Sequence, residues 1–135
     1  MLYPHYSEIP ESVWRWPDFS PQEPNLACPC CGEFYLNVAA MDALQAVRDE
    51  IKRPIRINSG HRCALHNARV GGAPLSQHKL IAFDLSLAGH DRLALRDACK
   101  RAGFTGFGYY RTFLHVDPGR RRFWYGRGAR QLWNG

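Results

Sequence analysis

The hydrophobic period of this chain changes along its length, and that limits the architectures open to it. From Asn37, a residue suited to capping a helix start, Val38 to Ile51 carries Met41, Leu44, Val47 and Ile51 at three- and four-residue spacing. This pattern predicts a helix of about four turns, ended by Arg53-Pro54. A second helix is expected from Asp91 to Ala102, through Leu93, Leu95, Ala98 and Cys99, with Gly103 as a left-handed cap. Elsewhere the apolar residues alternate. Ile55 to Asn58, Ile81 to Leu87, Phe107 to Tyr110, Thr112 to Val116 and Arg122 to Tyr125 read as short strands. Ser59-Gly60 opens a loop or short helix carrying Arg62, His66 and Asn67, and Gly71-Gly72-Ala73-Pro74 is a turn. This order predicts an α+β domain: a small antiparallel sheet, ending in a meander, with flanking helices.

With 135 residues, 45% of them hydrophobic and 13% aromatic, the chain can bury a true core as one domain. That domain is placed at residues 26–135. Residues 1–25, rich in Pro and Trp, read as an ordered arm or docking segment, in which Trp14, Trp16 and Phe19 would anchor to the domain or to a partner. Eighteen Lys and Arg against twelve Asp and Glu give +6, with much of the excess after residue 99. An anionic partner is therefore expected, and either nucleic acid or a wall polymer carrying carboxylates and phosphodiesters would answer. Nucleic acid is the weaker choice, because the basic residues show no repeated finger spacing. No apolar run approaches the roughly 18 residues of a membrane span. The opening Met1 to Tyr6 has no basic stretch before an apolar core, so no secretory signal is expected. On this reading a larger assembly or a lysis pore would carry the chain out of the cytoplasm.

Two short clusters carry metal-binding residue types: His78 and Asp84 within Ser76 to Asp84, and His115 within Leu114-His115-Val116-Asp117. A catalytic zinc site takes three protein ligands and keeps a position for water, which the ion acidifies into a nucleophile. Strand alternation puts Ala82 and Asp84 on one face, with Ile81, Phe83 and Leu85 on the other. It likewise puts His115 and Asp117 together, opposite Leu114 and Val116. Taken singly, each residue has a plainer reading, as an exposed histidine, a turn aspartate and a core histidine.

Five cysteines are an odd number, and three of them crowd into Cys28-Pro29-Cys30-Cys31-Gly32. Adjacent cysteines seldom pair with each other. Cys28-x-x-Cys31 with Cys63-x-x-His66 has the spacing of a structural zinc knuckle. A disulfide from the cluster to Cys63, or simply reduced thiols, are the other readings. Cys99, on the second helix, reads as a core residue.

The combination of Ser59-Gly60-His61-Arg62, His66-Asn67-Ala68, Val70-Gly71-Gly72-Ala73, Ser76-Gln77-His78 with Ala82 and Asp84, and His115-Val116-Asp117 resembles the zinc D-alanyl-D-alanine carboxypeptidase-like peptidases. These act on bacterial cell-wall peptides and are distantly related in fold to hedgehog domains. With Cys-Pro-Cys-Cys-Gly-Glu-Phe-Tyr and the Trp-rich arm ahead, the chain is most similar to the tail-associated cell-wall peptidases of gene transfer agents and phages. The resemblance implies Zn2+ held by His78, Asp84 and His115, Arg62 on a substrate carboxylate or polarised carbonyl, a peptidoglycan peptide as substrate, and tail proteins as partners through the arm. Ser76 would orient its loop rather than react.

Two departures from the family pattern carry expectations. The family has a glycine between the first histidine and the alanine, whereas His78 and Asp84 here are six residues apart without it. A one-residue loss on a strand reverses facing, so the two can share a metal only if the connecting loop absorbs the slip. Thr112 stands where many relatives place a carboxylate base. Asp117 is then the nearest candidate, either to accept the water's proton or to orient His115, with His61 a weaker base. Tyr109, Tyr110, Phe123 and Trp124 are divided between lining a groove and packing the core. The competing reading keeps the fold but makes it a catalytically impaired wall-binding or tail-assembly module.

Overall fold

The computed structural model describes residues 1–22, 26–73 and 75–134. The boundary drawn at residue 25 and the turn residue Pro74 lie outside the described residues. Helix α1 spans Val38–Ile51, where the apolar stripe predicts it. The Asn37 side chain accepts from the Ala40 amide at its start, and Lys52 ends it in a left-handed conformation, φ 56°, one residue before Arg53-Pro54 takes effect. Its buried face is Ala40, Met41, Leu44 and Val47.

Five strands form the main sheet: β3 (Ile57–Ser59), β4 (Phe83–Ser86), β5 (Gly106–Tyr109), β6 (Phe113–Asp117) and β7 (Arg122–Tyr125). A separate pair, β1 (Leu2–Tyr3) and β2 (Phe34–Tyr35), lies antiparallel near the N-terminus. The order in the main sheet is β3-β4-β6-β5-β7. All its pairings are antiparallel except β5 with β7, which is parallel. The expected terminal meander is therefore corrected. Both edges of β6 are already paired, with β4 and β5, so β7 adds instead to the free edge of β5, where it runs in the same direction.

Helix α3 (Arg92–Ala102) starts on the Asp91 side chain, which accepts from the Leu93 and Ala94 amides, and ends at Gly103 with φ 107°. It packs on α1. Leu95, Ala98 and Cys99 join the α1 stripe and one sheet face, including Ile57, Leu85, Leu114 and Tyr109, in a single apolar core. Those four sheet residues lie in one register row. The neighbouring row, Ser59, Asp84, His115, Gly108 and Trp124, faces away from the helices. The fold thus covers one face of the sheet with apolar helices and leaves the other for polar chemistry.

The N-terminal segment is packed into this body. Trp16 and Phe19 are buried in the core, and the Trp16 indole N–H donates to Asp42 Oδ1 on α1 at 2.8 Å. Two further α-helices are short, α2 (Ala64–Arg69) and α4 (Arg130–Asn134), the latter burying Trp133. Among the described residues, no helix is long and apolar enough to cross a membrane.

Candidate metal centre

Asp84 and His115 are direct neighbours across β4 and β6. His78 reaches them from outside the sheet, on a single 3-10 turn, Gln77–Lys79, whose start is capped by the Ser76 hydroxyl accepting from the His78 amide. Ser76 therefore does the orienting work expected of it. His78 Nε2 lies 3.2 Å from Asp84 Oδ1 and 3.2 Å from His115 Nδ1, and the last two are 3.0 Å apart. The expected facing problem does not arise, because strand alternation begins only at Phe83. Ile81 and Ala82 before it are both buried, and Leu80 carries the bend at φ −107°, ψ −102°.

The other nitrogen of each imidazole is engaged by an acceptor. His78 Nδ1 donates to the Gly60 carbonyl at 2.6 Å, and His115 Nε2 donates to Asp117 Oδ2 at 2.6 Å. A carbonyl can only accept, and Asp117 is ionised against Arg122, so the proton of each neutral ring is fixed on its outer nitrogen. Three lone-pair-bearing atoms then face one another, an arrangement that suits a shared cation. Burial would lower the His115 pKa, but the hydrogen bonds to Asp117 and Asp84 outweigh it and raise it. Burial would raise the Asp84 pKa, yet its bonds with His115 and His78 bring it down to about 2. A tetrahedral zinc with ligands at about 2.0–2.1 Å sets its ligand atoms roughly 3.4 Å apart. The three atoms match one face of such a tetrahedron, so the residues fit the ion.

Asp117 has no exposed surface and does not line the cavity over the cluster. Arg122 grips both its oxygens at 2.8 Å, and the Gly119 amide donates to Oδ1 at 2.9 Å. Burial acts to raise its pKa, but His115 and Arg122 together hold it well below the usual carboxylate range. It is thus placed to orient His115. His61 is not in the cavity: it is fully buried, with its ring nitrogens on the Leu80 carbonyl and Glu33 Oε1.

The cavity measures about 450 Å³ and opens beside His78, Asp84 and His115, with Arg62, Tyr110 and Trp124 on its walls. Arg62 Nε is buried with no partner among the described residues. Gly72 lies close to it: a Cβ there would be 2.8 Å from Arg62 Nη1 and 2.2 Å from Asn67 Oδ1. Among the described lining residues, Asp84 is the sole carboxylate.

A family model described as Peptidase M15 matches residues 17–117, about three quarters of the chain. The chain belongs to the peptidase M15 family. A search of curated proteins returned no match. This M15 chain carries one site residue that the sequence reading did not single out, Arg122, which secures Asp117. Trp124, a groove candidate from the sequence, lies tilted at 4.9 Å from the His115 ring while its indole N–H donates to Tyr110 Oη. Both depend on glycines one strand over. A Cβ on Gly106 would lie 2.2 Å from both Arg122 Nη1 and Asp117 Oδ1, and one on Gly108 would lie 2.6 Å from the Trp124 ring. The signal was available as Gly-x-Gly at strand period inside Gly106 to Tyr109. Of the four aromatics considered for the groove, Tyr110 and Trp124 line the cavity, Tyr109 packs in the core and Phe123 is exposed.

Proposed function

We propose that the protein is a zinc-dependent peptidase that hydrolyses amide bonds in bacterial cell-wall peptides, with His78, Asp84 and His115 holding the ion. The observation that carries this reading is the set of three inward-facing acceptor atoms 3.0–3.2 Å apart, with both histidine tautomers fixed from behind. When bound, zinc supplies Lewis acidity toward a carbonyl oxygen and lowers the pKa of a water toward neutrality. Asp117 holds the proton at His115 Nε2 and so keeps Nδ1 turned inward. Arg62, unpartnered at Nε, binds the substrate's carboxylate or the oxygen on which charge develops. Trp124 and Tyr110 wall the cavity and restrict water around the scissile bond.

The wall as substrate and delivery in a phage-like tail are supported by the resemblance to tail-associated peptidases, and by a net +6 suited to an anionic polymer. Detection of the chain in purified phage-like particles tests the delivery. The second reading, a binding module of the same fold, is favoured by the lack of a carboxylate other than Asp84 among the described cavity walls. Digestion of purified peptidoglycan, with released peptides followed by mass spectrometry, separates the two. The peptidase reading expects metal-dependent release that falls to background in His115→Ala with the fold retained. Wall binding without release supports the module.

A further inference from the structure

We propose a second metal site in this protein: Cys28, Cys30, Cys31 and Cys63 form a closed tetrathiolate centre that holds a structural zinc ion. The four sulfur atoms lie within 4.8 Å of one another. Cys28 Sγ is 3.5 Å from Cys30 Sγ, which is 3.4 Å from Cys63 Sγ. A zinc ion with four sulfurs at about 2.3 Å spaces them roughly 3.8 Å apart, whereas a disulfide brings two sulfurs to about 2.05 Å. All four are free thiols here, at separations that suit a shared ion and suit no bonded pair.

The local fold explains the convergence. The Cys28 amide donates to the Glu33 carbonyl at 2.8 Å and the Gly32 amide to the Cys28 carbonyl at 2.8 Å. Gly32 at φ +78° completes the turn. One five-residue loop thereby aims three sulfurs at one point. Cys63 supplies the fourth from the residue before α2, where its sulfur accepts from the His66 amide at 3.3 Å. His66 is not in the cluster, so the fourth ligand of the sequence-derived knuckle is replaced by Cys30. Hydrophobic packing does not account for the gathering, since Cys30 and Cys31 are exposed. The fifth cysteine, Cys99, sits in the core as expected of it.

Four protein ligands leave no place for water, which makes the centre structural. Its place in the chain gives it a task. Cys63 directly follows Arg62, whose amide donates to the His78 carbonyl at 2.7 Å, and the Leu26 carbonyl accepts from the His61 amide at 3.1 Å. An ion here clamps the loop around residues 28–32 onto the segment that presents Arg62 to the cavity.

The test does not depend on the catalytic reading. Full-length protein, purified under reducing conditions, is analysed for zinc and then treated with a mercurial thiol reagent beside a chromogenic chelator. About two zinc ions per chain are expected in wild type, about one in His115→Ala and about one in Cys30→Ser. The mercurial should release about one ion from folded wild type and from His115→Ala alike. Cobalt(II) loaded into His115→Ala should give an intense sulfur-to-cobalt absorption that is missing from Cys63→Ser. The proposal is overturned if His115→Ala holds no zinc and its thiols react freely in the folded protein. It is overturned equally if the intact mass is short by two hydrogens per disulfide. The mercurial release uses unmutated protein, so a cysteine variant that fails to fold does not decide the matter.

Discussion

The His78, Asp84 and His115 cluster and the cysteine cluster are built on opposite plans. The first draws two donors from neighbouring strands and a third from a turn, presents three, and faces a cavity of about 450 Å³. The second draws three of its four sulfurs from a single five-residue loop. Three donors beside open space leave a ligand position for a bound molecule, whereas four protein donors fill a tetrahedral ion and suit a brace. The supports differ accordingly. The imidazoles are oriented from behind by Gly60 and Asp117, whereas the sulfurs are placed by the backbone of their own loop and contact mainly one another.

The largest effect that sharpens this contrast is expected at Arg62, where the two clusters meet along the chain. Arg62→Ala should lower kcat/KM by about 100-fold through loss of charge-assisted hydrogen bonds, with both zinc ions retained. Steady-state kinetics on peptides with free and amidated C-termini check this, and an equal loss on both peptides would remove the carboxylate-binding role. Next comes the support behind His115. Asp117→Asn should weaken zinc at the histidine cluster by roughly 10–100-fold while leaving thiolate-bound zinc unchanged, as measured by titration against a competing chelator. A matching loss at both sites would show general loosening instead. The smallest effect is expected at Gly108→Ala, where the new Cβ meets the Trp124 ring. Urea melts should show a loss of about 1–3 kcal/mol from overpacking, with zinc content kept. Unchanged stability would mean that Trp124 can leave His115 without penalty.

Much of this was legible in the residues. The stripe Met41, Leu44, Val47, Ile51 marks α1 to its observed bounds, since a long periodic run capped by Asn37 has few other folds. Strand alternation separates Asp84 from Phe83 and Leu85, and His115 from Leu114 and Val116, because one face must meet the helices. The parallel place of β7 was not legible. It depends on which edges β4 and β5 have already occupied, and that information is not local to Arg122–Tyr125. Spacing also selected His66 over Cys30, because a regular pair-and-pair pattern says nothing about how tightly Gly32 curls the first loop. Arg122 behind Asp117 escaped notice for a related reason: an arginine in a basic tail looks like solvent-facing charge until the strands are aligned.

The 3-10 turn that carries His78 also bears on how this site can vary. Because the strand starts only at Phe83, residues 80–82 act as a hinge of adjustable length between donor and sheet. The interval between His78 and Asp84 is therefore set by a connection outside the pleat, so its length does not decide which face of the strand Asp84 takes. A search pattern demanding a fixed interval between His78 and Asp84 would therefore pass over a chain such as this one, whereas one anchored on the strand row through Asp84 and His115 would retain it.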